Sequence, residues 1–207
     1  NLKFEDPVEV ARTLCRRIMG QRDHLIIALT HLGFEDDVKL AQAVPDLDVI
    51  IGGHSHTYLA EPKIVGNTIV VTAEAWGRYL GRLDLEVSGG KVTSHRWGLM
   101  PMDSRVPPRA DVQAVVDHYS ELMGAALQKV VGHTAVFLDG ERANVRSRET
   151  NLGNLIADAM RAVSGAQICF QNGGGIRASI EAGPITMADI LKVLPFGNEV
   201  ATIELTG

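Results

Sequence analysis

Two histidines stand two residues apart in Gly52-Gly53-His54-Ser55-His56, directly after the apolar run Val49-Ile50-Ile51. Neutral imidazole is a good ligand for zinc, manganese and similar divalent ions, so a close pair can hold one ion or be divided between two. The preceding glycines fit a turn that lets backbone approach a ligand closely. A third imidazole, His31, follows the earlier apolar run Leu25-Ile26-Ile27-Ala28-Leu29. A lone histidine at any of these places would read as a turn cap or an ordinary core or surface group. Three at the ends of neighbouring strands point to metal. Imidazole alone is a poor clamp for two dications, whose repulsion calls for carboxylates between them. Glu35, Asp36 and Asp37 follow His31 closely, but they are expected in the first turn of a helix, where acids meet the positive end of its dipole. No bridging acid is evident.

A second constellation is Asn172-Gly173-Gly174-Gly175-Ile176-Arg177, placed after the apolar stretch Ile168 to Gln171. Three glycines allow backbone to approach a flat or anionic ligand, while Asn and Arg offer directed hydrogen bonds. The loop lacks the Lys-Ser/Thr ending of a Walker sequence, so it is not a phosphate loop of that kind. Taken singly, Arg146 and Arg177 read better as surface ion-pair partners, and Phe196 as a core residue beside Pro195.

The elements that must carry these residues follow from periodicity and turn chemistry. Asp6-Pro7 starts a helix whose apolar positions are Val8, Ala11, Leu14, Cys15 and Ile18, and Gly20 is expected to stop it. Leu25 to Leu29 and Val49 to Ile51 lack alternation, as expected of parallel strands covered by helices on both faces. Glu35 to Val44 supplies the crossover helix, so His31 and His54 share one sheet edge, outside the carboxyl ends of the strands where ligands of open α/β sheets bind. Thr68 to Thr72 reads as a strand, and Leu83 to Val87 turns at Gly89-Gly90 into Lys91 to Thr93 as a hairpin. The proline-rich stretch from Met100 to Pro108 marks a domain boundary. A long helix follows, with the stripe Val112, Val115, Val116, Tyr119, Leu122 and Met123 expected to pack against something. Beyond it come a strand near Ala135 to Leu138, a helix from Asn151 to Val163, a strand at Ile168 to Gln171, and a helix after Thr186, with Asp189 completing a capping box. Trp76, Trp97 and Tyr79 fit core or hairpin packing. His24, His95, His118 and His133 show no clustering, and Asp158 and Asp189 read as solvated or capping residues.

The 207 residues carry 20 Lys plus Arg against 25 Asp plus Glu, a formal net charge of -5, with 45% hydrophobic residues. Such a chain can bury a core, and its acidity disfavours a nucleic-acid polymer, which needs a basic surface. Two cysteines cannot form a disulfide scaffold, and Cys15 and Cys169 read as buried hydrophobes. No apolar run approaches the roughly 20 residues of a membrane span, and the first residues form no signal peptide. The sequence neither begins with Met nor opens at a natural boundary, so a piece of a longer chain is expected.

The order of these motifs carries a resemblance. Thr30-His31-Leu32-Gly33 followed by Asp48-Val49-Ile50-Ile51-Gly52-Gly53-His54-Ser55-His56-Thr57 resembles the 5'-nucleotidase branch of the calcineurin-like metallophosphoesterases. Arg146-Ser147-Arg148-Glu149-Thr150-Asn151-Leu152-Gly153-Asn154, Asn172 to Arg177 and Leu194-Pro195-Phe196-Gly197 are similar to that family's nucleotide-binding C-terminal domain.

The resemblance implies an α/β fold: the C-terminal part of a metallophosphoesterase β-sandwich flanked by helices over residues 1–103, a linker and interdomain helix over 104–130, and part of a second, mixed α/β domain over 131–207. It implies a di-metal phosphohydrolase that removes phosphate from nucleotides by metal-activated water, with two divalent ions, zinc or manganese, and a periplasmic, cell-surface or extracellular setting. His31 and His54 match metal ligands and His56 matches the shell of the other ion. Asn172, Gly174, Gly175, Arg177 and Arg146 match nucleotide contacts, with Arg148 a near competitor of Arg146, and Phe196 matches one side of a base-stacking clamp. The family's Asp-x-His, bridging Asp and Asn-His pair are expected upstream and its second stacking aromatic downstream, so no catalytic histidine is assigned here. A 2',3'-cyclic nucleotide phosphodiesterase or nucleotide-sugar hydrolase of the same family, or a nucleoside binder without catalysis, stays open.

Overall fold

The short apolar runs pair side by side in the computed structural model, which describes residues 3–19 and 24–206. Gly20, the expected helix stop, lies outside the described residues. The chain divides into two units, Asn1–Pro107 and Pro108–Gly207.

In the first unit, helix α1 (Pro7–Met19) is followed by β1 (Ile27–Leu29), α2 (Phe34–Ala43), β2 (Val49–Ile51), β3 (Lys63–Val65) and β4 (Thr68–Val71). The sheet order is β1-β2-β4-β3, with β1, β2 and β4 parallel and β3 antiparallel at the edge. Successive residues of β2 and β4 alternate between two cores, as the strand period requires. Ile50 and Val70 join Cys15, Leu40, Ala41, Val44 and Leu47 on the helix side. Val49, Ile69 and Val71 face Leu83, Leu85, Val92 and Trp97 of a hairpin built from β5 (Tyr79–Ser88) and β6 (Lys91–Pro101). Helices therefore cover one sheet face and the hairpin the other. Asp6 starts α1 as expected, its carboxylate accepting from the amides of Val8 and Glu9 at 2.8 and 3.0 Å.

Strand β1 departs from expectation. Leu29 is 84% exposed while Val49 and Ile50 are fully enclosed, so among the described residues β1 is an edge strand rather than one covered on both faces. It also starts later than Leu25, because the Asp48 carboxylate accepts the Ile26 amide at 2.8 Å.

The second unit contains α3 (Ala110–Leu127), β7 (Val130–Thr134), α4 (Arg142–Val145), α5 (Asn151–Ser164), β8 (Gly183–Thr186) and α6 (Met187–Val193). Its core gathers Leu138, Leu152, Ile156, Ile176, Ile180, Ile185 and Val193. The capping box at Thr186 and Asp189 forms as read. Thr150 caps α5 by accepting the Gly153 amide at 3.1 Å. Thr150→Ala should therefore lower the stability of this unit by about 1 kcal/mol, read as an earlier midpoint in urea unfolding.

Three expectations are corrected here. The strand placed near Ala135 to Leu138 begins earlier, at Val130, and ends at Thr134, whose hydroxyl bonds the backbone of Val136 and turns the chain. Leu138 keeps one bridge to Ile180, and the Asn151 side chain takes the Phe137 carbonyl and the Asp139 amide. Ile168 to Gln171 is irregular: it has no ladder partner among the described residues, and Phe170 is 91% exposed. The apolar stripe of α3 lies on one face as read, yet no residue of that helix is buried. Helical spacing tells which residues share a face, not whether anything covers it.

Candidate functional site

Parallel pairing of β1 with β2 sets the residues that follow the two strands side by side. The Thr30 amide extends the ladder by donating to the Ile51 carbonyl at 3.0 Å. Directly beyond, the rings of His31 and His54 meet edge to face with centroids 5.0 Å apart. That separation is about what two imidazoles need to share an ion with ring nitrogens roughly 2.0–2.1 Å from it. His56 is placed otherwise: it packs edge-on against Trp76, with centroids 5.6 Å apart. Among the described residues, no three His, Cys, Asp or Glu side chains close into one metal-ligand cluster. The three imidazoles are thus a pair and a separate third.

The glycines before His54 are not where the turn's positive φ falls. The left-handed backbone falls on the histidines themselves, with φ of 69° at His54 and 58° at His56. Non-glycine residues hold such angles at a cost of about 1–2 kcal/mol each. Gly52 and Gly53 instead provide space. A Cβ on Gly52 would lie 2.2 Å from Asp37 Oδ2, and one on Gly53 would lie 3.0 Å from His31 Nδ1. Ser55 pins the strained turn, its hydroxyl accepting the Phe34 amide at 3.0 Å and lying 2.8 Å from the Thr57 hydroxyl.

Glu35, Asp36 and Asp37 all lie in the first turn of α2 as read, and Asp37 is in addition wholly buried. Burial pushes its carboxyl pKa up, against the lowering effect of the hydrogen bond donated by Thr30. Trp97 packs in the hairpin core and its indole donates to the Leu59 carbonyl at 2.9 Å. Trp76, by contrast, is 66% exposed and holds a φ of 63° beside His56.

The second constellation assembles around the Gly173–Gly175 turn. Asn172 caps it, its side-chain oxygen accepting the Gly174 amide at 3.0 Å. A Cβ on Gly173 would meet the Val145 carbonyl oxygen at 2.0 Å, so glycine is required for the loop to lie against the end of α4. Arg146, the residue after α4, is thereby brought to Gly174, whose missing Cβ would sit 3.2 Å from the Arg146 Nη2. Arg177 donates to the Gly174 carbonyl at 3.3 Å and spreads its guanidinium over Phe196, 5.7 Å from the ring centroid. Phe196 is half exposed, and Gly175 is buried against Gln171.

Arg142 joins this group although the sequence reading passed over it. Burial, followed by the positive charges of Arg146 and Arg177, lowers its pKa. The signal was present: Arg142 precedes Arg146 by four residues, one helical turn along the same face. A cavity of about 280 Å³ on the hairpin, lined by Arg82, Asp84, Arg96, Trp97 and Gly98, includes none of these residues.

Residues 130–207 match the family model of the 5'-nucleotidase C-terminal domain. The whole chain is 39% identical to 15% of the Trifunctional nucleotide phosphoesterase protein YfkN of Bacillus subtilis. It is also 34% identical to 42% of the 5'-nucleotidase of Bos taurus. Among solved structures, a 5'-nucleotidase precursor from Thermus thermophilus matches with a TM-score of 0.81 and 37% identity, over 94% of this chain and 43% of that one. The chain spans less than half the length of these relatives. Residues 130–207 therefore carry the C-terminal domain of the 5'-nucleotidases, and the chain as a whole is similar to part of proteins named 5'-nucleotidase.

Proposed function

We propose that the protein is a metal-dependent phosphohydrolase of nucleotides, the first unit gripping the metal and the second the nucleoside. The observation that carries this reading is the 5.0 Å edge-to-face meeting of His31 and His54 beyond two parallel strands, in a chain whose relatives are named 5'-nucleotidase and nucleotide phosphoesterase. His31 and His54 would hold one divalent ion, and His56, set apart from them, would belong to a second. Bound zinc or manganese supplies Lewis acidity at the phosphoryl oxygens and a nucleophile from water at neutral pH. The chain's own residues position: Ser55 and the parallel pairing of β1 with β2 would fix the imidazoles before any ligand arrives, leaving little reorganisation for the reaction.

In the second unit, Phe196 would stack on the base, Asn172 would use its remaining amide hydrogens on the nucleoside, and Arg146 and Arg177 would bind its polar or charged groups. Gly174 and Gly175 allow the close approach. The division into a metallophosphoesterase part over residues 1–103, a linking helix over 104–130 and a substrate domain over 131–207 belongs to this proposal. So does a setting outside the cytoplasm. No helix among the described residues is long and apolar enough to cross a membrane.

One observation favours a second reading, a nucleoside binder without catalysis: no three metal-ligating side chains converge among the described residues. Phosphate release from AMP separates the two. The protein expressed from its full reading frame and stripped with chelator should release none, and should regain release on addition of manganese or zinc. A binder would release none under any metal while its melting temperature still rose with adenosine.

A further inference from the structure

We propose that Asp37 is a positioning residue for the metal-binding histidines, acting through Thr30 on one side and Gly52 on the other. The inference rests on the metal reading of His31 and His54 given above. Asp37 lies in the first turn of α2, fully buried, where a carboxylate is costly without partners. Its Oδ1 accepts the Thr30 hydroxyl at 2.6 Å. Thr30 is the residue before His31, and its backbone amide is bonded to the carbonyl of Ile51. The second oxygen, Oδ2, is buried with no hydrogen-bond partner among the described residues.

That orphan oxygen occupies the space a side chain at residue 52 would fill, since a Cβ there would lie 2.2 Å from it. Gly52 in turn is tied to the sheet by its amide, which donates to the Val71 carbonyl at 2.9 Å. One carboxylate on the crossover helix therefore touches the chain immediately before His31 and two residues before His54. Moving it would free both strand ends at the point where the two imidazoles must meet. Outer groups that orient metal ligands in this way typically change metal affinity by about 10–100-fold when removed.

The test is manganese affinity, followed by loss of the hexaaqua Mn(II) signal in electron paramagnetic resonance, on the protein expressed from its full reading frame and freed of metal. Asp37→Ala should weaken binding by about 10–100-fold, and Thr30→Val by a similar factor. The double variant should be no weaker than the worse single one, because both act through the same contact. Asp37→Asn, which keeps an oxygen for the Thr30 hydroxyl, should retain most of the affinity. Thermal unfolding in chelator reports the purely structural effect. Wild-type manganese affinity in Asp37→Ala, with only a lower melting temperature, would overturn the inference. If Asp37→Ala does not fold, wild-type affinity in Thr30→Val would overturn it equally. A protein that binds manganese nowhere would overturn the metal reading and this inference with it.

Discussion

Replacing His54 with alanine should lower manganese-dependent phosphate release from AMP by about 10³-fold, the rate equivalent of several kcal/mol of lost metal stabilisation. The loss should be in kcat, with a matching loss of metal affinity. The backbone supplies a control for folding. His54 holds a φ of 69°, which costs alanine as much as histidine but costs glycine nothing. His54→Gly should therefore be as inactive as His54→Ala while melting at or above the wild-type temperature. An inactive alanine variant alongside an active glycine variant would mean that the ring matters only for the turn. His56 sits at the same kind of strained position, at 58°, and the same pair of substitutions applies to it.

Arg177→Ala should lower kcat/KM for AMP by about 10–100-fold, the range for removing hydrogen bonds to a charged or strongly polar group. The effect should be confined to substrates that carry a nucleoside. A simple aryl phosphate, which needs only the metal unit, should be hydrolysed at the wild-type rate. Lysine should restore little, because a point charge replaces neither the planar fork nor the stacking on Phe196 seen at 5.7 Å. Equal losses on both substrates would show that the Arg177 bond to the Gly174 carbonyl is structural and that the nucleotide is held elsewhere.

The parts of this molecule that were legible in its sequence are those set by local rules. Asp6-Pro7 and the Thr186 to Asp189 box mark helix starts through their own side chains, and the structure places helices there. In the unbroken apolar runs at β2 and β4, Val49, Ile50, Ile69, Val70 and Val71 are buried because alternate residues fill two cores. Where the outcome depends on a distant neighbour, the sequence was mute. Ile168 to Gln171 has the composition of a strand but no ladder beside it among the described residues, and β1 has the apolar run of a covered strand but one open side.

The candidate site shows the same split. Strand ends predicted that His31 and His54 would meet, since parallel pairing fixes their neighbourhood. That His56 turns to Trp76 depends on two left-handed residues on separate loops, which no spacing rule encodes. Asp37 looked like any first-turn acid until Gly52 and Thr30 were found around it. Arg142 stands four residues before Arg146, a spacing that places the two on one face only once a helical turn is known there.

The central claim is that the histidines following the two strands bind divalent ions. Anomalous scattering from crystals of the protein expressed from its full reading frame, grown with manganese and measured near the manganese edge, tests it most directly. The expected result is a peak within bonding distance of both His31 and His54 and a second peak at His56. Density without anomalous signal at all three rings, in a crystal with manganese bound elsewhere or nowhere, would contradict it.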